Sequence, residues 1–444
     1  MSKALVLFED EFAEKFEPIA LTRSVARIRS GLWTHRERWL RAYPERSLHL
    51  VCRGYLTTWE TERRGWASVN EALRAQDVLF VAAALGAVDP RREQQLRELR
   101  TDHALVAPDG RLVAALLDTD KANRVIAWLR EVLGDEPLSR ASPNWPARLS
   151  REGIRTVDTT TLPETLADIV DANAERIRAD FANLPSSPGP GAASTAWEAP
   201  GVHFVNPEKI RLADGVLLEP GVVLQASEGP IVIGAGTLVH ANSVIRGPVA
   251  IGPGCVVRSL TRISHGVTLG PVCRVGGEVD GTIVQGHSNK QHDGFLGHSY
   301  VGEWVNLGAG STTSDLKNDY GDVRVVIAGV TIGTRRRSLG SLIGDHSKIA
   351  ILTPLNTGTT IGVSANVFGT GFPPKEIPSF TWGGGGPRWM EYRLETAIEV
   401  ARRVTSRREV VLTEAAIEVL RRVHRATAHR RGLVLAEAGA VLAV

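Results

Sequence analysis

The sequence predicts a parallel β-helix joined to an α/β domain, and three observations carry that prediction. An aliphatic residue recurs every six positions at Ile233, Val239, Ile245, Ile251, Val257, Ile263, Leu269 and Val275. A small or β-branched residue stands four places after each of them, from Thr237 and Ser243 to Cys273 and Val279. The first 183 residues lack this repeat and alternate short apolar runs with amphipathic stretches.

A six-residue period fits neither a helix, with 3.6 residues per turn, nor a strand, which alternates by two. It fits a triangular coil in which each hexapeptide supplies one short strand and one corner, with the aliphatic residue facing inward. Stacked coils then lie about 4.8 Å apart along parallel ladders. The phase extends upstream through Leu212, Leu218 and Leu224. Downstream it runs through Val301 and Leu307, breaks, and resumes at Ile343, Ile349, Leu355 and Ile361. The β-helix is therefore expected over 201–382. Residues 281–295 miss the period and are expected to project as a loop, the kind of segment that carries function on a rigid scaffold. Cys255 and Cys273 share one repeat position on adjacent coils and are expected to be buried thiols.

In the first domain, 1–183, Ala4–Phe8 and Asp77–Ala84 read as buried strands. Arg91–Arg100, Lys121–Leu133 and Pro163–Phe181 read as helices, and the alternation indicates α/β architecture. Residues 184–200, with Pro-Ser-Ser-Pro-Gly-Pro-Gly inside, have linker composition. Gly383–Gly386 reads as a hinge, and 388–444 as a helical tail. The tail's many arginines alternate with Glu391, Glu395, Glu399, Glu409, Glu414 and Glu418, which favours a solvated, charge-balanced helix face over a nucleic-acid arm.

Composition bounds the function class. A formal net charge of +3 on 444 residues argues against nucleic acid or acidic lipid as a main partner. The best apolar run, Val78–Val88, falls short of the roughly 18 residues of a membrane span. The first ten residues turn acidic where a secretion signal would stay apolar. Three cysteines make no disulfide framework. A cytoplasmic protein is expected.

Two stretches exceed a generic repeat: Gly286-His-Ser-Asn-Lys-Gln-His-Asp-Gly-Phe-Leu-Gly-His-Ser-Tyr-Val-Gly-Glu-Trp-Val-Asn-Leu-Gly-Ala-Gly310, and Asn366-Val-Phe-Gly-Thr-Gly-Phe-Pro-Pro-Lys375. With Leu21-Thr-Arg23 and Arg29-Ser-Gly31 near the start, the chain resembles an alternative bacterial form of the bifunctional enzymes of UDP-N-acetylglucosamine synthesis. Those join a sugar-phosphate nucleotidyltransferase domain to a glucosamine-1-phosphate N-acetyltransferase β-helix. The resemblance implies a left-handed coil, acetyl-CoA as cosubstrate and a homotrimer. It also implies a nucleoside triphosphate and Mg²⁺ for the first domain, where that domain is active.

By position, the resemblance makes His292 the acetyl-transfer histidine. It places Phe295 and Asn306 at the sugar, with Asn289, Asp293 and Tyr320 beside them. Ala309 would meet the coenzyme, together with Gly344 and Val363. Where such relatives carry an arginine for the sugar phosphate, this chain has Gly276, so Arg274 or Lys290 substitutes or the sugar differs. In the first domain Arg23 and Arg29 are the phosphate candidates, and Asp102 and Asp168 the metal candidates. The opening Leu-Val-Leu-Phe-Glu-Asp-Glu-Phe has no glycine before Gly31, so weak nucleotidyl transfer is expected.

The residue types suit the chemistry independently. An amine attacking a thioester must lose a proton, and an imidazole with a pKa of about 6.5 accepts one at neutral pH. One rival reading is a zinc lyase. His287 and His292 have the five-residue spacing of the metal histidines in β-helical carbonic anhydrases, with His265 or His298 to complete the set. The other rival is a non-catalytic trimeric scaffold.

Overall fold

The computed structural model describes residues 2–86, 90–135, 144–159, 161–185, 200–385 and 389–432. Most of the expected linker and the last twelve residues of the expected tail lie outside them.

The first domain is built on six strands: β1 (Lys3–Phe8), β2 (Ser47–Val51), β3 (Asp77–Ala82), β4 (His103–Val106), β5 (Leu112–Leu117) and β6 (Arg155–Asp158), in spatial order β2-β1-β3-β5-β4-β6. Central β1 pairs parallel with β2 and β3, and both sheet faces are covered, which explains the unbroken apolar run Ala4–Phe8. The helix expected at Lys121–Leu133 begins at Thr119, where the Asp118 side chain accepts from the Lys121 N–H at 2.9 Å. The expected single helix over Pro163–Phe181 is two, Leu166–Asp171 and Asn173–Ala182.

The coil forms as its period demands. Three parallel ladders of nine, ten and six strands run along its length, the ten-strand ladder ending in an antiparallel strand. Ile231, Val249 and Val267 pair in succession on one face, and Val239, Val257 and Val275 on the next. Their inward side chains make one closed core. Cys255 and Cys273 are buried free thiols within it.

Residues 281–295 do not project. Ile283 pairs with Thr268 and Tyr300, Asn289 with Arg274 and Asn306, and Phe295 with Glu278. The coil here is shortened at its corners, so the period is lost while the ladder continues. The real insertion is 314–341, whose hairpin Arg324–Ile327/Val330–Gly333 buries Val325 and Ile327 against the first domain's core.

Nor is the tail an appendage. Gly383 and Gly384 lie in strand Thr381–Gly384 and pair parallel with Val367 and Phe368, so these two are ladder residues and not a hinge, while Gly386 of the expected hinge lies outside the described residues. Helices Leu394–Ser406 and Glu414–Ala426 send Ile398, Ile417, Leu420 and Val423 into a core shared with the first domain and with Ile283 and Tyr300 of the coil. Among the described residues no helix is long and apolar enough to cross a membrane.

Candidate functional site

The site starts from a lysine. In the shortened coil, Lys290 takes the inward position that Val275 occupies on the preceding rung. It is buried, and its ammonium donates to the carbonyls of Gly276 at 2.9 Å and His292 at 2.7 Å. Burial pulls its pKa down to about 8, against the opposing pull of Asp293. Lys290 therefore pins the corner that presents His292 and is not itself on the outer surface, contrary to the substrate role expected for it.

His292 stands exposed at that corner. It lines an open cleft of about 670 Å³ with Arg258, Leu260, Asp293, Ala309 and Leu352. Among the described residues its ring has no hydrogen-bond partner. The cleft wall is built from stacked corners: the Gly310 N–H donates to the Asp293 carbonyl at 3.0 Å, and the Leu352 N–H to that of Ala309 at 2.8 Å. Leu260, Ile351 and Leu352 are 72%, 67% and 75% exposed, a bare aliphatic rim.

The other expected residues divide. Arg274, Asn289 and Asn306 form successive outward rungs of the face that runs into the His292 corner, and Lys348 follows them. The Lys348 ammonium is turned back onto the carbonyls of Trp304 and His346, and burial lowers its pKa to about 7. Phe295 lies half-buried on another face, its ring over Gly297. Tyr320 is 67% exposed in the insertion and is not among the cleft-lining residues. Of the three coenzyme candidates, only Ala309 lines the cleft. Gly344 packs backbone to backbone on Gly362, and Val363 is buried in the core shared with the first domain.

The first-domain candidates are spent on the interface. Arg23 is buried and pairs with Asp345 and, at 3.3 Å, with Glu303, both coil residues. Arg29 donates through Nε to the Gln285 carbonyl at 3.3 Å and through Nη1 to that of Leu32 at 3.2 Å. Both guanidiniums help seat the domain on the coil, Arg23 through Nη2 alone, its Nε and Nη1 being buried without a hydrogen-bond partner. Asp102 is held by Lys121, and Asp168 by Arg336 at 3.1 Å while capping its own helix. Glu9 and Asp10, just past β1, are likewise bound to Arg53 and Arg111. These carboxylates do not fit a bound Mg²⁺.

Within one chain the zinc reading finds no geometry. His287 and His292 occupy different corners, at opposite ends of the strand Asn289–Lys290. The His287 ring stacks on Trp304 with centroids 4.4 Å apart, and burial lowers its pKa. His265 is bonded to Asp280 at 2.8 Å, and His298 to Asp315 at 2.7 Å. Among the described residues no three of His, Cys, Asp or Glu converge as a metal site.

Sequence reasoning missed Arg258 and the aliphatic rim. The signal was present: Arg258 and Gly276 share a repeat position on adjacent coils, and the Arg258 Cβ lies 3.3 Å from where a Gly276 Cβ would stand.

Comparison with known proteins bears on both halves. Residues 5–187 match the family model described as sugar nucleotidyl transferase, and residues 230–265 match the bacterial transferase hexapeptide model of six repeats. With the second match, the coil is the left-handed parallel β-helix that the resemblance implied. A bifunctional sugar-1-phosphate nucleotidylyltransferase/acetyltransferase of Sulfurisphaera tokodaii is 33% identical over 91 residues, 20% of this chain and 23% of that protein. The bifunctional protein GlmU of Methanococcus vannielii is 30% identical over 100 residues, 22% of this chain and 24% of that protein. The matches span about a quarter of these curated relatives. Among solved structures, the UDP-N-acetylglucosamine acyltransferase of Francisella novicida aligns at 12% identity and a TM-score of 0.30, covering 50% of this chain and 90% of that one.

Proposed function

We propose that the β-helix is an acetyl-CoA-dependent N-acetyltransferase acting on an amino-sugar phosphate of the glucosamine-1-phosphate type. The observation that carries this reading is His292, exposed and unpartnered in the cleft, with Ala309 on the neighbouring corner. In the proposed step the sugar amine attacks the thioester carbonyl, forming the amide C–N bond as the C–S bond breaks. The His292 imidazole takes the amine proton and passes it to the departing thiolate, which leaves as CoA–SH. Lys290 would keep the corner in place without entering the chemistry.

The reading includes a cytoplasmic homotrimer in which neighbouring coils meet along the aliphatic rim, since bare Leu260, Ile351 and Leu352 at a cleft edge suit a facing protein wall. The test is a panel of amino-sugar phosphates with acetyl-CoA, followed by release of free thiol. No turnover with any amino-sugar phosphate sinks the proposal.

For the first domain, the family-model match over 5–187 favours sugar-1-phosphate nucleotidyl transfer as a second activity. Its buried, ion-paired carboxylates and interface arginines support a weak one. Robust Mg²⁺-dependent pyrophosphate release from a nucleoside triphosphate and a sugar 1-phosphate would overturn that expectation.

A further inference from the structure

The charge-balanced reading of the tail holds for many of its arginines. Arg403 pairs with Glu399, Arg421 with Glu414, Arg425 with Glu418, Arg430 with Glu17 and Arg431 with Glu391. It fails at the turn after Ser406. There Arg408 reaches the coil, and its Nη2 donates to Oδ1 of Asn289 at 3.3 Å. Asn289 pairs across the ladder with Arg274. Burial lowers the proton affinity of Arg408, and the charges of Arg274 and Arg407 act on it in the same direction. Among the described residues, Arg274, Arg407 and Arg408 have no carboxylate partner, and the Arg408 Nε is buried without a hydrogen bond.

Three guanidiniums drawn together with no counter-charge repel one another. An oxyanion between them removes the repulsion and takes up idle N–H groups, and the planar fork of arginine matches phosphate oxygens in pairs. Because Asn289 gives its Oδ1 to Arg408, its amide nitrogen is left as one more donor.

We propose that Arg274, Arg407, Arg408 and Asn289 form a binding site for a phosphate monoester, with the C-terminal tail supplying two of its three cations. Asn289 begins the short strand that ends at the His292 corner. A phosphate held here lies one short strand away from the His292 corner of the cleft. The use of the site for the transfer reaction rests on the function proposed above; its affinity for phosphate does not. Two ligands of that reaction carry a phosphate monoester: the sugar 1-phosphate and the 3′-phosphate of coenzyme A.

The experiment titrates the full-length protein by calorimetry with inorganic phosphate, with glucosamine 1-phosphate against glucosamine, and with coenzyme A against dephospho-coenzyme A. Arg408→Gln and Arg274→Gln should each weaken at least one phosphorylated probe tenfold or more and leave its unphosphorylated counterpart unchanged. The pair that moves identifies the source. Arg407→Gln, at an exposed position, gives the same reading should Arg408→Gln loosen the tail. Arg403→Gln, which removes a carboxylate-paired arginine, should change nothing. Wild-type phosphate affinity in all three variants, no binding of any phosphorylated probe by the wild type, or an equal loss in Arg403→Gln overturns the site. A wild-type protein that binds phosphate through these arginines but transfers no acetyl group leaves the site standing and removes the assignment of His292.

Discussion

The hydroxyl of Tyr300 accepts from the backbone N–H of Arg29 at 2.9 Å, and its one proton lies between two acceptors, Oε1 of Gln285 at 2.7 Å and the Arg29 carbonyl at 2.9 Å. One coil side chain thus meets two main-chain groups of the first domain. Gln285 continues the contact, donating to the Arg27 carbonyl at 2.8 Å. Asn173 ties the same turn from the other side, accepting from the Gly31 N–H at 2.6 Å and donating to the Gly266 carbonyl at 2.7 Å.

Tyr300→Phe should therefore weaken the joint between the halves. It leaves the Arg29 carbonyl short of a donor in a dry interface, which costs about 1–2 kcal/mol. Urea denaturation should show a lower midpoint, and hydrogen exchange should rise at residues 27–34 while coil rungs such as Val249 and Val267 stay protected. Unchanged exchange at 27–34 would show that the contact does not hold the joint.

His292→Ala should lower acetyl transfer by roughly 10²- to 10⁴-fold at neutral pH. Acetyl-CoA affinity and the thermal midpoint should barely change, because among the described residues the His292 ring has no hydrogen-bond partner. His287→Ala should act differently: it removes the ring stacked on Trp304 and should lower stability more than turnover. Wild-type turnover in His292→Ala would transfer the proton-accepting role to another group, with His298, oriented by Asp315, the next to test.

Lys290 predicts a pH dependence of stability. Its pKa falls from 10.5 to about 8 on folding, so the folded state disfavours the charged form. Below about pH 8 the ammonium is charged in both states, and the full cost applies, on the order of 3 kcal/mol. Between about pH 8 and 10.5 the unfolded chain binds more protons, so this group makes stability rise with pH. Lys290→Met should abolish that rise in urea melts across the window. A rise of equal size in the variant would assign it to another group.

The trimer is tested at its rim. Leu352→Lys, at a site 75% exposed, costs a monomer nothing in its core. In an assembly that covers the rim it buries an unpaired charge. Light scattering should find a trimer for the wild type and a smaller species for the variant. A wild-type monomer at micromolar concentration, or a variant trimer of unchanged stability, would remove the rim from the interface.

Sequence periodicity by itself determined the coil, because each rung carries its own inward hydrophobe and a repeated local rule needs no distant partner. It placed Ile233 through Val275 correctly and put Cys255 and Cys273 in the core. The family resemblance, and not the period, singled out His292, which the structure sets in an open cleft. Where the coil shortens, the same rule misled. Residues 281–295 lost the period and read as a loop, yet the ladder bonds, which count rungs and not residues, carry through Ile283 and Asn289. That change of phase turned Lys290 from an outer-surface candidate into a buried pin. Only the tertiary structure could decide which distant residues meet. Arg23 and Arg29 look like phosphate ligands until the coil supplies Asp345, Glu303 and the Gln285 carbonyl as their partners. Arg408 looks like one more solvated charge until the tail folds back onto Asn289. Such encounters depend on how the insertion and the tail pack against two cores, and no local repeat in the chain encodes that.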